Sequence, residues 1–379
     1  MERNAGLDLI RSSAILLVLF CHGLGFFFMP YHDFNPLNYV TGYLGVELFF
    51  VLSGFLIGRI LLQEVVERGS LARLGTFYVR RWFRTLPLYL LAVATTYLFF
   101  NRHMNPTNLF FLQNFDEGHL SFLPISWSLS IEEWFYLLIP VPLLLAGKFR
   151  HKPAAFFAIS ALLILFFPVL RMIEVHHNQP LWDYGVRKQI PLRLDSLVFG
   201  VLLAGVKTYH AALYRKYLAG KWALPIGVLG LAYFGGYLVY NGIAEQTMDH
   251  SWFGRTLLFS VVSLLIALLI AAAETHIPRM ERLPNLRGFI GFVSAQSYGY
   301  YLFHWNLFVW FSKENTTASV AHSLYLLLFA LIVLIAFTFV VHRYFEVPIM
   351  KLRDLLTKKS KRPAAHAPAA RGNEPLKLD

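Results

Sequence analysis

Ten stretches of this chain stay apolar for about 17 to 25 residues, the length an α-helix needs to cross a hydrocarbon core ~30 Å thick. They fall at roughly 7–28, 41–63, 83–100, 127–147, 154–172, 192–207, 222–240, 254–274, 289–312 and 320–345, the sixth being the shortest. A segment in lipid must satisfy its own backbone N–H and C=O groups, so each run reads as a helix. Composition agrees, since 56% of the residues are hydrophobic and 15% charged, against about 25% charged in soluble domains. The expected fold is all-α, an integral membrane bundle of about ten transmembrane helices filling residues 1–350, with a basic, disordered cytoplasmic tail at 351–379.

Lysine and arginine orient the bundle. With the N-terminus inside, the inward segments carry 25 of these residues and the outward loops 7, an asymmetry that puts both termini in the cytoplasm. The net charge of +12 is thereby a matter of topology. Dispersed over inner loops, with no basic, aromatic-studded soluble domain to carry it, it does not read as a nucleic-acid surface. The single cysteine, Cys21, leaves no intramolecular disulfide framework, and in an apolar span it reads as a small buried filler sooner than as a reactive thiol. The first run lacks a small-residue cleavage site and is followed at once by further spans, so it reads as a helix and not as a removable signal peptide. The longest outer loop, 101–126, is too short for a second catalytic domain, and no internal repeat is visible.

Ionisable groups inside such spans are costly and for that reason read as functional. Arg11 and His22 lie eleven residues apart in LDLIRSSAILLVLFCHGLGFFF; at ~100° per residue they return to within about 20° of one face, ~16 Å apart along the axis. Arg11 can also be read as snorkelling towards an interface. His22, about 15 residues and ~22 Å into its span, does not suit that reading. His304, in QSYGYYLFHWNLF, is equally deep. Glu132 and Glu133 of PISWSLSIEEWFYLLIP come from the opposite side and should lie ~8 Å below the outer surface. Depth therefore permits His22, His304, Glu132 and Glu47 to share one layer. A histidine with a carboxylate partner in a water-restricted cavity is a general-base arrangement. Two rivals stay open: metal ligation by the His and Glu side chains, for which no HExxH-like spacing is present so that no metal is expected, and His304 as a core residue bonded to a neighbouring helix.

Other motifs carry paired readings. In YVRRWFRTLPLY, Arg80, Arg81 and Arg84 cluster within about one turn, either as a fork for a phosphorylated cytoplasmic ligand or as a positive-inside flank. In GYLGVELFFVLSGFLIGRIL, Gly42, Gly45, Ser53, Gly54 and Gly58 suit close helix packing, while Glu47 is an interfacial carboxylate or a site partner. Arg193 and Asp195 of PLRLDSLVFG are equally an ion pair or substrate contacts, Asn114 of FFLQNF a loop or re-entrant contact, and Tyr298 and Tyr301 interface aromatics.

Taken in order, the Arg11 to His22 pair, GVELFFVLSGFLIGRIL, RRWFR, FLQN, WSLSIEEWFYLLIP, RLDSLVFG and SYGYYLFHW resemble the acyltransferase-3 family of multi-pass membrane acyltransferases, over residues 7 to 348. Each motif alone is weak; together they are specific. The resemblance implies O-acetyltransferase chemistry in the bacterial cytoplasmic (inner) membrane, moving an acyl group, most commonly acetyl from acetyl-CoA, to a sugar hydroxyl of a polysaccharide, lipopolysaccharide or lipid-linked glycan. It implies coenzyme A phosphates at Arg81 and Arg84 with neighbouring Arg80, His22 as base, and Arg11 and Glu132 as its partners. Glu47, Asn114, Arg193, Asp195 and Tyr301 are left as contacts to the acceptor, and Arg11, His304 or an outer-mouth tyrosine as donors to an oxyanion. Larger members of the family append an SGNH-type hydrolase domain; this chain is expected to act without one. The rival class is a transporter or flippase of a lipid-linked sugar, which would show inverted repeats and broken helices in matched halves. A sensor or structural role would leave the buried His and Glu residues unexplained. Oligomeric state is not legible.

Overall fold

The computed structural model describes residues 4–28, 35–115, 120–243, 247–277, 283–316 and 319–358. Its main helices are α1 (Ala5–Phe27), α2 (Asn35–Leu61), α3 (Leu71–Phe99), α4 (Ser126–Leu138), α5 (Pro140–Ala146), α6 (Lys152–Asn178), α7 (Asp195–Tyr209), α8 (Ala223–Ile243), α9 (Leu258–His276), α10 (Pro284–Ser312), α11 (Val320–Val341) and α12 (Val347–Lys358). No strand occurs among the described residues. Local chemistry sets the ends: Asn4 accepts the Leu7 N–H to cap α1, and Pro284 opens α10 at a position where a missing N–H costs nothing.

Each of the ten expected spans coincides with a helix or, for 127–147, with the α4–α5 pair. Seven of the described helices or continuous helical runs are long and apolar enough to cross a membrane, eight if the bent run 195–218 counts as one span. Those falling short explain themselves. α3 carries Arg73, Arg80, Arg81 and Arg84, α10 carries a run of polar and tyrosine side chains, and α7 has 15 residues, about 22 Å of rise. α7 and the second half of α10 are largely buried among other helices, where apolarity is not required.

α2 is the hub, with 67% of its apolar window enclosed against 22% for α6 at the periphery. It packs on α1, α7, α8 and α9, while α1 lies between α2 and α10. The α2–α7 crossing depends on two glycines: a Cβ on Gly54 would sit 1.9 Å from the Leu197 carbonyl oxygen and one on Gly200 would sit 2.1 Å from that of Val51, so only hydrogen fits at either place. Gly42, Gly45 and Gly58 are similarly close to α1 or α7, which bears out the packing reading; Ser53 has another use.

Two ion pairs hold the start of α7 to its neighbours, one to α6 and one to α2. Arg171 of α6 forks onto Asp195 at the start of α7, Nη1 to Oδ1 and Nη2 to Oδ2 each at 2.8 Å, and donates from Nε to the Thr256 carbonyl at 2.7 Å. Arg193 donates to Glu47 of α2, whose second oxygen accepts from Ser196 at 3.1 Å. All four ionised side chains are buried.

The C-terminal segment departs from expectation. Beyond a π-helical turn at His342–Glu346, α12 runs to Lys358 and Arg80 donates to Thr357 at 3.3 Å, so 351–358 is helical and packed on α3. The remainder of the tail, 359–379, and Arg3, one of the inward charges, lie outside the described residues.

Candidate active site

A cavity of about 710 Å³ runs inside the bundle, lined from Val46 to Glu64 by α2 and the π-helical turn Leu62–Val66 that continues it, some 27 Å along the helix axis. Its ends differ. Glu64 pairs with Arg73 at 3.3 Å, and around this end stand Arg80 and Arg84 of α3 with Arg353 of α12. At the other end Phe49 meets the Tyr301 ring edge-on, centroids 6.1 Å apart, and the Tyr301 hydroxyl lies 2.6 Å from Ser128 Oγ. The chain thus places basic groups at one end and hydroxyls at the other.

Midway, Glu132 accepts from Ser53 Oγ and from the Tyr136 hydroxyl, each at 2.9 Å, and lies 3.6 Å from Arg81. Arg81 also donates to Tyr136 at 2.6 Å and sits over that ring, 3.9 Å from its centroid. Arg11 lines the same wall, donating to Ser294 at 3.4 Å with Asp8 3.9 Å away.

Behind Tyr301 stands the histidine pair. The His304 ring centroid is 5.9 Å from that of Tyr301, and His304 Nε2 is 2.7 Å from His22 Nδ1. His304 is fully buried and its Nδ1 is 2.9 Å from the Tyr300 carbonyl oxygen. A carbonyl can only accept, so His304 Nδ1 carries the proton; in a neutral ring its Nε2 is then the acceptor, and His22 Nδ1 must donate. That leaves His22 Nε2 as the unprotonated nitrogen. A backbone carbonyl thereby fixes the tautomer of two rings in series, so that His22 presents a bare basic nitrogen while neutral. Trp305 packs edge-on against His22 at 5.0 Å and Phe308 against His304 at 5.7 Å.

His22 and His304 meet as their depths suggested, but Glu132 does not join them. The depth reading took α4 to start at the membrane surface. Instead the preceding loop folds inward, with Asn108, Gln113, Asn114, Phe122, Leu123 and Ile125 all buried, so α4 begins inside the bundle and Glu132 falls level with Arg81. The partner at His22 is the second histidine, and the carboxylate neutralises an arginine. Asn114 bridges that inward loop, donating to the carbonyls of Trp127 at 3.1 Å and Lys188 at 2.6 Å. Glu47, Arg193 and Asp195 are consumed by the buried ion pairs that hold the start of α7 to α2 and α6 and are absent from the cavity wall, whereas Arg80, Arg81, Arg84 and Tyr301 line it. Among the described residues no group of three or more His, Cys, Asp or Glu side chains is disposed to hold a metal.

Sequence reasoning passed over Ser128 and Tyr136, although Ser128, Glu132 and Tyr136 follow an i, i+4, i+8 stripe that marks one face of α4. It also passed over Arg187, which is held by Asp183 at 2.6 Å and lies over the rings of Trp127 at 4.8 Å and Trp182 at 5.5 Å, close enough for its charge to act on His22. An Asp and an Arg four apart in a loop give no such hint.

The interior of this helical protein thus holds an arginine-lined cavity ending at Tyr301, with a hydrogen-bonded histidine pair beyond that ring. The chain belongs to the acyltransferase-3 family, whose acyltransferase domain matches residues 4–341. It is 26% identical over 93% of its length to a chain named "Putative O-acetyltransferase" in Staphylococcus aureus strain MSSA476, covering 58% of that relative, and equally to its counterpart in strain MRSA252. It is 24% identical over 91% of its length to O-acetyltransferase OatA of S. aureus strain NCTC 8325, covering 57% of it. The chain therefore spans less than three fifths of the length of these relatives. No solved structure gives a significant match.

Proposed function

We propose that this chain is an O-acyltransferase that carries an acyl group, acetyl in the first instance, from acyl-CoA to a sugar hydroxyl of a cell-envelope or secreted glycan or glycolipid, with His22 as general base. The observation that carries the reading is the continuous cavity from the arginines to Tyr301, with the His304–His22 pair directly behind it. Coenzyme A suits such a shape: its phosphates match guanidinium forks, and its long pantetheine arm brings the thioester to the hydroxyl-lined end.

In this scheme His22 Nε2 takes the proton of the acceptor hydroxyl as its oxygen attacks the thioester carbonyl carbon. The carbonyl becomes a tetrahedral oxyanion at the cavity end, where the Tyr301 hydroxyl, which in the resting site donates to the Ile125 carbonyl at 3.0 Å and lies 2.6 Å from Ser128 Oγ, turns to donate to it. Collapse breaks the C–S bond, and the departing thiolate recovers the proton from His22. While charged, His22 keeps donating from Nδ1 to His304, whose orientation Tyr300 holds. Glu132 acts one step removed, fixing Arg81 together with Ser53 and Tyr136, and Arg11 closes the wall. Arg80, Arg81 and Arg84 face the donor. Glu47, Asn114, Arg193 and Asp195 build the site and do not touch the acceptor.

The proposed topology has ten crossings, both termini and the arginine end cytoplasmic, and the histidine end towards the outside of the bacterial inner membrane. Membranes holding the protein, given acetyl-CoA labelled in the acetyl group and an envelope glycolipid pool, should move label into the glycan fraction in a base-labile ester. Label that stays in the donor with every glycan pool, although the protein is folded and abundant, would overturn the proposal.

A further inference from the structure

The family match stops at residue 341, yet Arg353, Asp354 and Thr357 of α12 line the cavity beside the α3 arginines. We infer that α12 is part of the donor site, and that Arg353 contacts a phosphate of the acyl donor. The inference rests on the proposed donor being a coenzyme A thioester.

Charge is the first ground. The cavity wall carries six arginines, Arg11, Arg73, Arg80, Arg81, Arg84 and Arg353, against the carboxylates of Glu64, Glu132 and Asp354. Glu132 is taken up by Arg81, and Glu64 by Arg68 and Arg73. Arg84 has no hydrogen bond or ion pair within 4 Å among the described residues, and Arg80 has only the Thr357 hydroxyl. Arg84 and Arg353 are near enough for their like charges to act on each other. Two helices far apart in the chain, α3 and α12, thus hold like charges together at one end of a cavity, an arrangement that an anion between them relieves.

The second ground is the state of Arg353. Its Nε and Nη2 both donate to Asp354 Oδ1, at 3.0 and 2.8 Å, and Asp354 is 53% exposed. A pair of neighbouring residues whose carboxylate faces solvent, with the arginine 19% exposed, is weak, so a phosphate can take over the fork without a large loss. Arg80 to Thr357 pins α12 in place, and the basic end is closed on that side by a helix instead of being open to solvent.

Kinetics with two donors test this, acetyl-CoA and S-acetylpantetheine, which has the thioester arm and no phosphate. Wild type should prefer acetyl-CoA. Arg353→Gln should raise the KM for acetyl-CoA about tenfold, the worth of one charge-assisted contact, with kcat held and no change on S-acetylpantetheine; Arg353→Lys should recover part of the loss. Asp354→Asn, which removes a competing carboxylate, should lower the KM for acetyl-CoA. Equal losses on both donors, or no loss on either, would overturn the role of Arg353. A wild type that turns over both donors alike would instead sink the coenzyme A reading itself.

Discussion

Glu47 and Arg193 decide between a structural and a substrate-binding reading of residues on which the sequence alone left both open. They are 1% and 0% exposed. Beyond their mutual contact, Arg193 donates to the Arg187 carbonyl at 3.3 Å and lies 3.7 Å from the Phe259 ring centroid, and Glu47 accepts from Ser196. Glu47→Gln leaves the Arg193 charge buried with no carboxylate, a loss of about 3–5 kcal/mol. Set against a total stability of ~5–15 kcal/mol, that is large. At roughly 2–4 °C per kcal/mol it lowers the melting temperature by about 6 to 20 °C. Replacing both residues by apolar ones of similar volume, Glu47→Leu with Arg193→Met, removes both charges and should return most of the loss. The assay is the fraction of detergent-solubilised protein that stays monodisperse after heating, read with acetyl transfer on the same samples. The double variant should regain stability and activity together. A double variant as stable as wild type but inactive would show that these charges meet substrate, and a Glu47→Gln variant as stable as wild type would refute the buried-pair reasoning.

Further outcomes follow from other parts of the structure. Gly54→Ala and Gly200→Ala place a Cβ against backbone at 1.9 and 2.1 Å and should sharply reduce folded protein on size exclusion, while Gly288→Ala, with nothing within 4 Å, should not. Tyr301→Phe keeps the ring and loses the hydroxyl; kcat should fall by about tenfold or more with the KM for acetyl-CoA unchanged in steady-state assays, the mark of an interaction made in the transition state. His304→Phe removes the acceptor that fixes the His22 tautomer and should lower kcat by about 10²-fold, with thermal stability retained. Wild-type kcat in that variant would show that the pair is only packing.

Much of this architecture was legible because lipid imposes few choices. The apolar runs marked every long helix, the small residues of GVELFFVLSGFLIGRIL marked the α2 crossings, and eleven-residue spacing put Arg11 and His22 on one helix. Pairing was harder. Glu132 was assigned to His22 by counting residues from an assumed surface, and burial of the loop before α4 moved it down to Arg81. Asp195 was seen, but its partner Arg171 is 24 residues earlier on another helix, beyond what local spacing can connect. α12 was missed because its lysines and arginines continue into a Pro/Ala-rich tail whose composition masks the helix. Tautomer is invisible in sequence, since it depends on which atom faces the Tyr300 carbonyl.

The most direct test of the central claim, that His22 is the base of an acyl transfer, is release of free coenzyme A from acetyl-CoA by inverted membrane vesicles supplied with envelope glycolipid, wild type against His22→Ala at equal expression. The account predicts thiol release that requires the acceptor in wild type and disappears in the variant. Release undiminished in His22→Ala would contradict it.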